Sequence, residues 1–289
     1  MLTVLEIIKR TTDFLAAKGI ENPRLNAELL IGHGLGLKRM QLYLQFERPL
    51  TEQELEKIRP VVRRRGLREP LQYIVGETEF CGVSFKVDRR ALIPRPETEY
   101  LVELITARLS TPPSRILDLG TGTGALALAL AKIFPNATVV AVDSSEDALA
   151  LAAENARIQN VEARVGLIVS DWFERVPREE KFDLIVSNPP YLTAAETAEA
   201  APEVKDFEPV SALTGEGKEG AGDLLKIIAE APAYLAAGGM LALETGIAQH
   251  TLLLEACSRA GLAAGESLQD LTKRDRYVIA WNRSQAVGR

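Results

Sequence analysis

Residues 115–130 read "RILDLGTGTGALALAL", and the way this stretch turns decides the fold. "RILDLG" reads as a strand, and "ALALALAKIF" after it is made of strong helix formers. Between them Gly120, Gly122 and Gly124 alternate with Thr121 and Thr123. Glycine in such a turn permits positive φ and lets a ligand approach the backbone with no Cβ in the way. A strand, a glycine-rich turn and a helix in that order open a βα unit whose ligand lies beyond the carboxyl end of the strand.

The neighbouring segments continue the alternation. Upstream, "TEYLVELITARL" (98–109) has a helical pattern; downstream, "TVVAVD" is a strand and "SEDALALAAENARIQ" a helix. Strands "ARVGLIVSD" and "FDLIVSN" follow, then a helix at "AGDLLKIIAEAPAYL", a strand "GMLALETG", a further helix and a final strand "YVIAWN". Such alternation predicts an α/β fold, a Rossmann-like doubly wound sheet covered by helices on both faces. Before it the chain reads differently. Up to about Leu67 the apolar spacing is helical, Thr51 with Glu54 forms a capping-box signature, and Gly34 and Gly36 separate helices. Four or five helices are expected there. "LQYIVGETEFCGVSFKVDRRALIP" is rich in β-branched and aromatic residues and predicts a hairpin between the two parts. The expected organisation is a helical domain over 1–70, a β-hairpin linker over 71–97 and an α/β domain over 98–289.

Composition narrows the function classes. The chain has 289 residues, 46% hydrophobic, with a net charge of −6. Residues 1–80 hold 13 basic and 11 acidic side chains, leaving 21 and 29 for the remainder, so the first part carries +2 and the second −8. This balance argues against holding nucleic acid by a broadly basic surface. The densest basic run, "RPVVRRRGLREP", reads as a solvated helix face. Cys81, Cys257, His33 and His250 have no metal-type spacing, so they are expected to pack and no metal site is expected. The first 24 residues carry charges at short intervals, which suits neither a signal peptide nor a membrane span; a cytoplasmic protein without a membrane partner is expected.

The glycine loop also fits G-x-G-x-x-A, so taken alone it does not separate a nicotinamide cofactor from S-adenosylmethionine. Asp143, ending "VVAVD", has the same ambiguity, because a carboxylate there can accept both ribose hydroxyls of either ligand. Asp118 tips the balance: "D-L-G-T-G-T-G" resembles the pattern of S-adenosylmethionine-dependent methyltransferases, with a carboxylate that can help hold the ligand's ammonium group. "SDWF" ends the third strand and puts Asp171 and Trp172 where an adenine could be flanked by an acceptor and a stacking surface.

"FDLIVS" then runs into Asn188, Pro189, Pro190 and Tyr191. Two prolines remove two backbone donors and fix φ, and Asn188, preceding a proline, is turned from helical geometry. This rigid tetrapeptide emerges at the same carboxyl edge as the glycine loop. The Asn188 side-chain oxygen and the Pro189 carbonyl can accept hydrogens from a planar NH2 group, turning its lone pair toward a methyl donor and stabilising the positive charge that develops on nitrogen. Tyr191 can pack against the planar group. Adenine, guanine and glutamine amides all present such a group. A nucleic-acid enzyme would need an electropositive channel and a pocket for a flipped base, which the acidic second part does not favour. A noncatalytic binding module would leave the tetrapeptide without a purpose.

Residues 69–99, "EPLQYIVGETEFCGVSFKVDRRALIPRPETE", resemble the release-factor glutamine methyltransferase family, known as PrmC or HemK. The likeness joins "LIPRPETE", "ILDLGTGTGA", "VDSS", "SDWF" and "SNPPYL" in order and extends over essentially the whole chain. It implies a class I S-adenosylmethionine-dependent methyltransferase fold, with 98–289 as the catalytic domain. The activity it implies is methyl transfer to the side-chain amide nitrogen of the glutamine in the Gly-Gly-Gln motif of class 1 peptide chain release factors. Gly120 to Gly124, Asp143 and Trp172 would contact S-adenosylmethionine. Residues 188–191 would hold the glutamine amide, Asn188 touching cofactor as well. Arg95, Glu97 and Thr98 would either shape the cofactor lid and substrate mouth or form a structural link between domains, and the N-terminal domain would recognise the release factor outside its glutamine loop.

Overall fold

The structure, a computed structural model, describes residues 2–283. Its contacts divide into two compact units: the chain up to Glu77 joined by Ala201–Phe207, and Thr78–Ala200 with the chain from Glu208 onward. In the first unit, α1 (Val4–Ala17), α2 (Pro23–Leu35), α3 (Arg39–Tyr43), α4 (Glu52–Gly66) and α5 (Leu71–Val75) are accompanied by a short later helix at Pro202–Lys205. Capping boxes start α1 and α4: Thr3 and Thr51 accept from the backbone N–H of Glu6 and Glu54, whose carboxylates accept in return. Val4, Ile8, Ile31, Leu42, Leu50 and Ile58 form one apolar cluster; Leu15, Ile20, Ala27, Leu30, Val61 and Ile74 form another.

The basic run in α4 is not simply a solvated face. Arg65 is buried, its Nε donates to Asn26 Oδ1 at 2.8 Å, and its guanidinium donates to Glu203 Oε1 at 3.0 Å. Arg68 Nη2 reaches Glu203 Oε2 at 2.7 Å, and Arg64 pairs with Glu69. A guanidinium taken from water needs such partners. For Arg65 and Arg68 they come from sequence positions that no local pattern connects.

The second unit begins with the hairpin strands β1 (Glu77–Phe80) and β2 (Val83–Lys86), followed by α6 (Pro96–Arg108), β3 (Arg115–Leu119), α7 (Ala125–Ile133), β4 (Thr138–Asp143), α8 (Glu146–Ile158), β5 (Val165–Val169) and β6 (Phe182–Ser187). After α9 (Ala194–Glu199), and with Pro202–Lys205 counted as α10, come α11 (Gly222–Tyr234), β7 (Leu235–Glu244), α12 (His250–Arg259), β8 (Ala263–Gln269) and β9 (Asp275–Trp281). The sheet order is β5-β4-β3-β6-β7-β9-β8, parallel except that β9 runs antiparallel between β7 and β8. Counted from β3 this is 3-2-1-4-5-7-6, whereas the dinucleotide-binding sheet runs 3-2-1-4-5-6. The chain reverses its direction of travel between β3 and β6. Loops leaving the carboxyl ends of these neighbours therefore diverge and open a crevice.

Alternation along β3 builds two cores. Ile116 enters the cluster containing Leu101, Ile105 and the α7 residues, while Leu117 and Leu119 enter the one containing Ile227, Ile228 and Leu253. Residues 125–131 of α7 are all buried, as expected of a helix that is apolar all round.

Besides the short helices α9 and α10, which the sequence reading does not foresee, two elements differ from it. The expected hairpin does not begin at Leu71: Leu71–Val75 is a helix, ended by Gly76 at φ +86°, and only Glu77–Lys86 forms the hairpin. Phe80 and Phe85 are fully buried in the core of the second unit, and Asn155 accepts from Lys86 N and donates to Lys86 O, so the hairpin is built into that unit. The second difference is β8, "AAGESLQ", which the sequence reading passes over. It is an edge strand with register shifts against β9 and little apolar alternation, so its pairing comes from its neighbour. Among the described residues no helix is long and apolar enough to cross a membrane, and no group of three or more His, Cys, Asp or Glu could hold a metal ion.

Candidate active site

The glycine loop is folded by the strand beside it. Val142 O accepts from both Gly120 N at 2.8 Å and Thr121 N at 2.9 Å, and Gly124 N closes a turn onto Thr121 O at 2.8 Å. Gly120, Gly122 and Gly124 take φ of +72°, +54° and +84°, a region that costs an L-residue roughly 1–2 kcal/mol. At Gly120 a Cβ would also lie 3.4 Å from the Trp172 ring, and at Gly124 it would lie 3.2–3.3 Å from Leu128 and Ala152. The glycines thus serve both the turn and the close passage of neighbouring side chains.

Carboxylates stand at or next to the ends of β3, β4 and β7. Asp143 accepts from Gly122 N and Ser145 N, each at 2.9 Å, fixing the loop to the β4 edge. Burial raises its pKa, with those backbone donors acting against the shift. Asp118 lies under the loop, wholly buried: Oδ2 accepts from Thr121 Oγ1 at 2.7 Å and Ala127 N at 3.1 Å, while Oδ1 is buried without a hydrogen-bond partner. Desolvation pushes its carboxyl up to about 7, the two donors opposing and the nearby Asp143 adding to the rise. Glu244, at the end of β7, is 1% exposed and accepts from Thr98 Oγ1 at 2.7 Å and Tyr191 OH at 3.1 Å. Burial raises its pKa as well.

These elements surround one cavity of about 430 Å³, within the range that encloses small ligands. Gly120 to Thr123, Asp143, Asp171, Trp172, Asn188 and Pro190 line it. Trp172 holds φ +41° and donates from Nε1 to Asp223 Oδ1 at 3.2 Å, which fixes its ring at the cavity wall. Asn188 donates from Nδ2 to Thr98 Oγ1 at 3.1 Å. Five of the expected site residues do not line the cavity, among them Glu97, whose backbone carbonyl accepts from Tyr277 OH. Asp118 and Gly124 support the loop from beneath, Pro189 is buried, and the Tyr191 hydroxyl turns to Glu244 with the Arg276 guanidinium 5.8 Å from its ring.

The sequence reading missed other walls. Arg90, Ala91 and Pro94 line one side; another is lined by Pro209, Ser211, Thr214 and Glu216, on the loop that the sequence places at the substrate side through Glu208, Pro209 and "LTGEGKEGAGDL" without assigning roles, and which Arg95 Nη2 ties down through the buried Glu208 at 2.5 Å. Asp223 falls in that same stretch, and Glu244 is passed over. For Glu244 a signal existed: "MLALE", like "RILDL" and "VVAVD", sets an acid in or at the end of an apolar strand, where it must be paired or functional. The loop around Glu208 has no comparable signal.

Two family models match the chain: the PrmC N-terminal domain over residues 6–76 and the Methyltransferase small domain over residues 96–205. A methyltransferase from Pyrococcus furiosus superimposes with TM-score 0.54 at 22% identity, covering 70% of this chain and 90% of that one. The 16S rRNA N2 G1207 methyltransferase RsmC of T. thermophilus, solved in complex with AdoMet and guanosine, gives 0.52 at 22% identity, covering 72% and 50%. The sheet order, the glycine loop and these likenesses define a class I S-adenosylmethionine-dependent methyltransferase fold with an N-terminal helical domain. Among curated relatives, the release factor glutamine methyltransferase of Geobacter sulfurreducens is 44% identical over 96% of this chain and 95% of its own. That of Chlorobaculum tepidum is 43% identical over 95% of each. The chain belongs to the release factor glutamine methyltransferase family.

Proposed function

We propose that this protein transfers a methyl group from S-adenosylmethionine to the side-chain amide nitrogen of the Gly-Gly-Gln glutamine in class 1 release factors. The observation that carries the reading is that Asn188 and Pro190 line the same cavity as the glycine loop, Asp143 and Trp172. In this reading the donor pocket and the amide-holding motif share one cavity.

The residues suit that donor. Gly120 and Gly122 line the cavity without Cβ atoms, Asp143 offers a carboxylate at the rim for ribose hydroxyls, and the buried Asp118 Oδ1 leaves an uncompensated acceptor behind the loop. S-adenosylmethionine, when bound, supplies a methyl group on a positively charged sulfur. Asn188 Oδ1 accepts one hydrogen of the substrate NH2 and the Pro189 carbonyl the other, so the nitrogen lone pair is turned into the cavity. Both acceptors are held before the substrate arrives, by Thr98 and by the proline backbone, and their dipoles stabilise charge on nitrogen without a strong base. The helical domain binds the release factor away from its glutamine loop.

Fragmentation mass spectrometry of an unmodified class 1 release factor, after incubation with the protein and S-adenosylmethionine, tests the reading. One added methyl on the Gly-Gly-Gln glutamine is expected; no change there, with methylation of nucleic acid in a parallel reaction, refutes it. Asn188→Ala is expected to lose turnover by about 10²–10³-fold, as does removal of a preorganised dipole elsewhere.

A further inference from the structure

We infer that Glu244 is a positioning residue that fixes which end of the Asn188 amide faces the reacting group. Register brings the two together: β6 and β7 run parallel with Ser187 opposite Leu243, so Asn188 and Glu244 leave adjacent strand ends side by side. Thr98, in the first turn of α6, stands between them.

The direction of each hydrogen bond follows from proton counting. An ionised carboxylate only accepts, and a hydroxyl has a single proton to give. Thr98 Oγ1 gives its proton to Glu244 Oε2 at 2.7 Å, so toward Asn188 it can only accept. It therefore takes the Nδ2 end of the amide, at 3.1 Å, and Oδ1 is left for the cavity that Asn188 lines. The second carboxylate oxygen is committed likewise: Tyr191 OH donates to Oε1 at 3.1 Å and accepts from Arg276 Nη1 at 3.4 Å. With Glu244 ionised and both its oxygens engaged by hydroxyls, neither Thr98 nor Tyr191 can reverse its polarity. Were the Thr98 proton turned to Asn188, the amide would rotate and present a donor to a substrate NH2, which is itself a donor.

A buried carboxylate costs several kcal/mol of desolvation, and an apolar side chain would fill the end of β7 without that cost. What the carboxylate adds here is a pair of acceptors at the head of a hydrogen-bonded chain that ends on the residue that meets the substrate. The inference rests on the reading of Asn188 as acceptor for the substrate amide.

The test uses the full-length protein with Thr98→Val, Thr98→Ser and Glu244→Gln. With a release factor as substrate, Thr98→Val and Glu244→Gln are expected to lose kcat by about 10–100-fold, a part of the 10²–10³ that loss of a preorganised group costs. Thr98→Ser, which keeps the hydroxyl, stays within about threefold of wild type, and S-adenosylhomocysteine affinity changes by no more than about threefold in all three. A second readout needs no turnover: the Asn188 side-chain NH2 signals in a 15N-labelled sample, assigned by their loss in Asn188→Asp. They are expected to shift in Thr98→Val and Glu244→Gln and to persist in Thr98→Ser. Unchanged kcat and unchanged NH2 signals in Thr98→Val overturn the inference, as does an equal kcat loss in Thr98→Ser. If wild type fails to methylate the glutamine, the substrate reading falls, and the NH2 signals alone decide whether Glu244 orients Asn188.

Discussion

Removing the carboxylate of Asp143 separates cofactor affinity from fold stability, and the structure sets the size of both effects. Two backbone donors, Gly122 N and Ser145 N, each 2.9 Å away, hold the carboxylate at the cavity rim. In Asp143→Ala both lose their acceptor, but the site borders the cavity, so water can replace it. The expected stability loss is about 1–2 kcal/mol, the net worth of two part-exposed hydrogen bonds. The affinity loss is larger, because hydrogen bonds from ligand hydroxyls to a charged acceptor contribute about 1.5–3 kcal/mol each. Two of them, partly offset by water entering the vacated space, amount to about 3 kcal/mol, or roughly two orders of magnitude in Kd. Asp143→Asn keeps one acceptor oxygen and is expected to lose about tenfold. Calorimetric titration with S-adenosylhomocysteine measures this directly, with thermal unfolding followed on the same samples. A folded Asp143→Ala protein that binds within about threefold of wild type would show that this carboxylate holds only the loop and not the ligand.

Two further outcomes follow from local geometry. Gly124→Ala combines an unfavourable φ of +84° with a Cβ at 3.2–3.3 Å from Leu128 and Ala152; about 2 kcal/mol of destabilisation, or 4–8 °C in Tm, is expected. Gly76→Ala, at φ +86° with no atom within 4 Å of its Cβ, is the control, expected to cost only the backbone share of about 1 kcal/mol. If the two variants melt alike, the packing share is refuted. At the start of α4, the Thr51 backbone N–H and then Arg48 hold the Glu54 carboxyl down from 4.5 to about 2. Its folded value is depressed, so the stabilisation is complete above 4.5 and is lost as pH falls through about 2. Glu54→Gln is therefore expected to be about 1 kcal/mol less stable at neutral pH. In urea denaturation the gap should close as pH approaches 2; a gap that persists in acid refutes the assignment.

Much of the site is legible in the sequence because its parts are contiguous. The strand, three glycines and helix of 115–133 mark the loop by local rules, since positive φ at alternate positions is a demand that glycine meets, and Val142 and Asp143 of β4 complete its fold. Asp143 and Asn188 are legible for a related reason: each ends an apolar strand, and strand ends of a doubly wound sheet gather at one edge. The tetrapeptide at 188–191 adds a chemical signature to that position. Tyr191 shows the limit of such reading, because its place in the motif does not reveal that its hydroxyl is engaged by Glu244 and Arg276.

What tertiary structure decided are the contacts between distant segments. Sequence gives no reason to join Thr98, Asn188 and Glu244; only the parallel register of β6 with β7, and α6 lying against that edge, brings them into one hydrogen-bonded chain. The loop over 209–216 becomes a wall of the cavity through Arg95 and Glu208, two charges 113 residues apart. Glu203, far along the chain from Arg65 and Arg68, belongs with them in the helical unit because a buried guanidinium must find a carboxylate wherever the chain supplies one. Local propensity and periodicity act over a few residues and determined the elements, the fold class and the ligand edge. The partners of buried charges are chosen by proximity in the folded chain, and that is where the orientation of Asn188 is set.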